Sequence, residues 1–138
     1  MQFLVYGTNQ NPEEGAPPSP EMMAEMGKFI DEATKAGMVV TTGALQPTGT
    51  RLQLAGGKFT VTDGPFIEAK ELLGGFAVIR AQSLEEAIEW VKRCPNPMGG
   101  ESEIEIRQIF EADDFGAEYT PELRAQEERW RAQIEEQK

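Results

Sequence analysis

Asp63 is the residue of this sequence best placed to do chemistry. It ends the β-branched run Thr60-Val61-Thr62 and stands before Gly64-Pro65-Phe66; the stretch Glu68-Ala69-Lys70-Glu71 and the pair Gly74-Gly75 follow. A carboxylate at a strand end has two uses. It can accept hydrogen bonds from backbone N–H groups, as Asp does in turns. It can also act as a general base on a small organic acid when burial raises its pKa. Pro65 has no N–H, so the donors for the first use would be Phe66, Ile67 or the Gly74-Gly75 segment. Lys70 and Arg107 are the candidates to hold a substrate anion, since ammonium and guanidinium groups match a carboxylate, and Phe66 is the third expected substrate contact. The plainer reading of Glu68, Lys70 and Glu71 is a solvated charged face.

The rest of the composition narrows that chemistry. There is no histidine and one cysteine, Cys94. The usual general base near neutral pH, the usual zinc ligands and Ser-His or Cys-His nucleophiles are therefore absent. Carboxylates alone suit Mg²⁺ or Ca²⁺, but Asp113-Asp114 is too short a cluster for such a loop, so neither metal nor cofactor is expected. Neither Gly56-Gly57 nor Gly74-Gly75 opens a helix, which a phosphate cradle would require. Cys94, between Arg93 and Pro95, reads as a small core filler.

A net charge of −11 argues against nucleic acid, whose phosphates call for a Lys/Arg-rich face. No polybasic patch and no apolar run of the roughly 20 residues that span a bilayer points to a membrane. Met1-Gln2-Phe3 begins directly in a strand pattern, so a cytoplasmic protein is expected.

The elements that must position Asp63 follow from the pattern. Gly56-Gly57 suits a two-residue hairpin turn with positive φ angles. That turn pairs Ala55 with Lys58, Leu54 with Phe59 and Leu52 with Val61, with the apolar pairs on one face. Counting on by two places Asp63 on that same apolar side, pointing inward.

Before the hairpin, Gln2–Tyr6 reads as a strand and 7–18 as a loop, a possible lid or partner contact. Ser19-Pro20-Glu21 opens a helix with Met22, Met26, Phe29, Ile30 and Ala33 on its core stripe, and Gly37 ends it. Met38–Thr42 is a second strand. After the motif, Gly75–Arg80 is an apolar, central strand. Ser83-Leu84-Glu85-Glu86 is a capping box; Leu84, Ala87, Ile88 and Val91 should be the buried stripe, with Trp90 on its shoulder. Glu103–Phe110 alternates, with Glu103, Glu105 and Arg107 on the face turned from the helices. Thr120-Pro121-Glu122 starts a last helix whose thin apolar line of Leu123, Trp130 and Ile134 must dock on the body or on a partner.

Strand, helix, strand, inserted hairpin, strand, helix, strand is an α+β, ferredoxin-like split βαβ order with helices on one face. At 138 residues one core suffices. The sheet face without helices calls for a homodimer.

Asp63-Gly64-Pro65-Phe66, with Gly74-Gly75 and Leu45-Gln46-Pro47, resembles the signature of the YciI-like family, in the branch called DGPF-domain proteins. The resemblance runs from Phe3 to about Phe110. It implies a dimeric α/β barrel of two sheets packed face to face, with 1–112 as the YciI-like domain and 113–138 as a C-terminal helical extension. Some members resemble lyases of chlorinated muconate-type acids that pair a His with an Asp; the His has no counterpart here. Many DGPF-type members resemble accessory proteins encoded near extracytoplasmic-function sigma factors. The expected function is thus a dimer that binds a small organic molecule or serves a regulatory, sigma-factor-type partner. The alternative is a small-acid lyase or hydrolase with Asp63 as its base.

Overall fold

The computed structural model describes residues 1–9, 19–46, 48–64, 73–95 and 102–138. The chain runs β1 (Gln2–Asn9), α1 (Pro20–Lys35), β2 (Val39–Ala44), β3 (Thr50–Ala55), β4 (Lys58–Asp63), β5 (Leu73–Arg80), α2 (Leu84–Val91) and β6 (Ser102–Gln108). A 3₁₀ segment (Ala112–Glu118) and α3 (Pro121–Glu136) follow. The architecture is α+β, divided into two compact units, Met1–Gln108 and Ile109–Lys138.

In the first unit four strands form one antiparallel sheet in the order β2-β5-β1-β6. β5 lies between the two strands that α1 connects, which is the split order read from the sequence. β1 runs on to Asn9 rather than stopping at Tyr6, because Gly7 and Thr8 still pair with Gly75 and Leu73.

Each helix begins and ends for a local reason. Ser19 Oγ accepts from Met22 N–H at 3.2 Å and Pro20 follows at the first helical position, so α1 starts there. It ends in a Schellman turn: Gly37 has φ +72°, its N–H donates to Thr34 O, and Met38 N–H donates to Ala33 O. That turn buries Met38 and Ala33 together with the core. Ser83 Oγ caps α2 through Glu86 N–H at 3.1 Å, while the Glu86 carboxylate accepts from Gln82 N–H, one residue before the expected partner. An ion pair between Glu32 and Arg93 ties α1 to the end of α2.

Register decides which side chains meet. Phe3, Val5, Ala77, Ile79 and Ile106 share one sheet face and pack with Met38, Ala81, Ala87, Trp90 and Val91; Phe3 is 1% exposed. Leu84 is exposed, contrary to the expected stripe, since the packed stretch of α2 begins one turn later at Ala87. β6 likewise stops at Gln108, so Phe110 lies beyond the strand and is exposed.

The far face of the sheet, turned from α2, follows from the same pairing. It carries Leu4, Tyr6, Val78, Phe76, Glu105 and Arg107, with Arg80 and Gln2 at one end. On β2, Gly43 pairs with Phe76, and a Cβ at Gly43 would meet that ring at 3.1 Å. Phe76 therefore lies over the glycine of the edge strand, filling the space a side chain would take.

β3 and β4 form a separate two-stranded sheet in the register expected, with Gly56 and Gly57 at φ +57° and +75°. The expectation that its apolar face turns inward is corrected. Leu52, Leu54, Phe59 and Val61 are 59–66% exposed, and the ladder pairs with no strand of the main sheet.

In the second unit, Thr120 Oγ1 caps α3 through Leu123 N–H, with Pro121 next. The 3₁₀ segment brings Phe110, Phe115 and Tyr119 into a stack with ring centroids 5.1 and 5.0 Å apart. Leu123, Trp130 and Ile134 are exposed along α3.

Candidate functional site

Strand alternation brings three polar side chains together on the far face. Tyr6 of β1 stands directly opposite Glu105 of β6, and Arg107 stands opposite Leu4. Arg107 Nε donates to Glu105 Oε1 at 2.5 Å. Tyr6, directly across the ladder, interacts with both Glu105 and Arg107. The guanidinium carbon lies 5.9 Å from the Tyr6 ring centroid, the outer edge of a cation–π contact.

The electrostatics follow from that arrangement. The Tyr6 hydrogen bond, then that from Arg107, holds the Glu105 carboxyl below its ordinary value. The same bond to Glu105 holds the Tyr6 phenol above its own. Near neutral pH the cluster presents a cation, an anion and a neutral hydroxyl on one face of two neighbouring strands. Leu4, Phe76 and Val78 lie beside it, half-buried. A cation next to an apolar floor can hold an amphipathic anion, and the phenol can donate to a second oxygen.

Asp63 is placed differently. It pairs with Thr50 at the open end of the hairpin, and Thr50 Oγ1 donates to its Oδ1 at 3.0 Å. Close by, Gly64 N–H donates to Gly49 O at 2.7 Å. The inward-pointing acid of the sequence reading is instead an exposed carboxylate served by a hydroxyl across the ladder. The expected backbone donors Phe66 and Ile67, and the expected substrate contacts Phe66 and Lys70, lie outside the described residues. Asp63 and Arg107 belong to two different sheets.

The sequence pattern does not single out Tyr6 or Glu105 as members of this candidate cluster, although it carries a signal for both. Alternation put Glu105 and Arg107 on the face turned from the helices. Counting β1 by two from a buried Phe3 sets Tyr6 on that same face, once the split order makes β1 and β6 neighbours.

Among the described residues no group of His, Cys, Asp or Glu is arranged to hold a metal ion, and no helix is long and apolar enough to cross a membrane. In the second unit, Glu111, Ala112, Arg124, Glu127, Glu128 and Arg131 line an open depression of about 250 Å³. Its arginines are already engaged, Arg124 with Asp113 at 2.7 Å and Arg131 with Glu127 at 2.5 Å.

A profile of the YCII-related domain matches residues 1–113. The chain belongs to the YCII-related domain family. Over 90 residues it is 33% identical to an uncharacterised protein of Rhizobium meliloti (strain 1021), which covers 64% of this chain and 73% of that protein. In this YCII-related protein the family match takes in the Tyr6–Glu105–Arg107 cluster and Asp63 together, whereas α3 begins after its end.

Proposed function

We propose that this YCII-related protein is a homodimer that binds a small organic acid on the far face of its four-stranded sheet, with Arg107 as the partner of the acid's carboxylate. The observation that carries the reading is the placement of Arg107 with Tyr6 and Glu105 beside the apolar Leu4, Phe76 and Val78. An acid needs a cation for its head and a dry surface for its body, and this face offers both. Homodimerisation draws support from the apolar side chains left exposed in each unit, among them Leu54, Phe59, Trp130 and Ile134. The dimeric barrel expected from the YciI-like resemblance would bring two far faces together around such a ligand. Asp63 takes no part in this reading.

Calorimetric titration with a panel of small monocarboxylates tests the ligand. Binding to the wild-type chain that is lost in Arg107→Gln supports the reading, and equal binding to both overturns it. Sedimentation equilibrium at micromolar concentration tests the assembly, where a species of 15.3 kDa alone would exclude the dimer.

A further inference from the structure

Resting on the reading of Arg107 as the anion partner, we propose that Glu105 sits on Arg107 as a stand-in for the ligand's carboxylate. The ligand that displaces it is a monocarboxylate with an apolar body, of the aromatic or branched aliphatic kind.

Glu105 has the position of a tethered competitor. It lies two residues from Arg107 on the same face of the same strand, and its Oε1 receives the Arg107 Nε bond at 2.5 Å. Tyr6, directly across the ladder, also favours the ionised Glu105. When an incoming carboxylate takes the guanidinium, Glu105 still faces the Tyr6 hydroxyl. The exchange therefore trades one charge-assisted bond for another, which is the condition for easy replacement. In the single chain the Arg107 side chain is 66% exposed and that of Glu105 is 44% exposed, so the chain's own fold leaves both open to an anion.

The surroundings decide the kind of acid. Arg107, Leu4 and Val78 stand in one row across β6, β1 and β5, and Glu105, Tyr6 and Phe76 in the next. Adjacent strands lie about 4.8 Å apart, so the row beginning at Arg107 offers roughly 10 Å of surface, of which all but the first position is apolar. That length suits one ring or branched chain behind one carboxylate. Among the described residues of this face, a second negative charge would have no counterpart in that row. Arg80, the other cation among them, is in the next row beside Gln2, while Glu105 repels a dianion.

The test uses the full chain, with benzoate, acetate and succinate as probes and the side-chain Nε–Hε signal of Arg107 followed by NMR alongside calorimetry. Benzoate should bind more tightly than acetate or succinate and should move the Arg107 signal. Glu105→Gln should bind benzoate about two- to fivefold more tightly, the range expected for freeing one exposed ion pair. Tyr6→Phe should act the other way, because Glu105 then has only Arg107 to hold. Glu103→Gln removes the same charge two positions along the same face and should leave benzoate affinity close to that of the wild type. Unchanged or weaker binding in Glu105→Gln, or an equal gain in Glu103→Gln, overturns the stand-in role. Acetate or succinate binding as well as benzoate overturns the ligand class. Either result leaves Arg107 as an anion site intact. If no probe binds to the wild type or to Glu105→Gln, the anion site itself falls and this inference with it.

Discussion

Tyr6 and Glu105 face one another across the β1–β6 ladder, and hydrogen bonding with the phenol holds the Glu105 carboxyl below its ordinary value. The bond favours the ionised acid, so the folded chain binds the Glu105 proton more weakly than the unfolded chain does. The stability this supplies is present above the ordinary glutamate pKa and is lost as pH falls through the lowered folded value. In an NMR titration, the Glu105 carboxyl carbon should show a midpoint below that of a free glutamate. Tyr6→Phe and Arg107→Gln should each raise it, since the tyrosine bond is the largest single cause and Arg107 acts both as a donor and as a charge. A midpoint indifferent to both changes would dissolve the cluster.

Thr50 and Asp63 share one exposed hydrogen bond at 3.0 Å, so deleting either partner deletes the same interaction. Thr50→Val and Asp63→Ala should each cost about 0.5–1 kcal/mol, and the double variant less than their sum. Urea titration of the four chains measures this. A cost of several kcal/mol for Asp63→Ala alone would assign the carboxylate donors beyond Thr50.

The β3–β4 hairpin stands as a two-stranded sheet with both faces exposed. An isolated ladder of this kind is marginal, so its amides should exchange with deuterium well before those of β1 and β5. Gly57 has φ +75°. Gly57→Ala should cost about 1–2 kcal/mol there, speeding hairpin exchange while leaving β1 and β5 as they are. Equal protection of both sheets would show the hairpin to be held by something further.

Gly43 and Phe76 form a fourth test. A methyl at position 43 would press on the Phe76 ring at 3.1 Å, so the ring has to give way by a few tenths of an ångström over the edge strand. Gly43→Ala should lower stability by about 1–3 kcal/mol, as overpacking does. Combined with Phe76→Leu, most of that penalty should vanish, and chemical denaturation of both variants is the measurement.

Much of this was legible in the sequence where one local rule acted without competition. Ser19-Pro20 and Thr120-Pro121 marked helix starts, Gly37 a helix end, and Gly56-Gly57 the hairpin register residue for residue. Alternation located Glu105 and Arg107 on one face. The pattern of Leu52, Leu54, Phe59 and Val61 gave the right pairing and the wrong burial, because alternation reports which residues share a face and not what that face meets. The same limit hid Tyr6 as a site residue: its partner is about a hundred positions away, and only the strand order brings Glu105 to it. Asp63 drew attention as the acid of a motif, yet its described partner is a hydroxyl that no motif names.

Phe3 pairs with Gln108, so the strand made first waits for the strand made nearly last in the first unit. During synthesis β1 can join β5 once Arg80 is out, but one edge of it stays open until β6 emerges. An open edge is a template for pairing with other chains. A ribosome that stops before Glu105 and Arg107 therefore releases a product with a ready aggregation edge and no part of the cluster beyond Tyr6. The candidate site and the pairing of β1 on both of its edges are completed by the same few residues, at the same moment of translation.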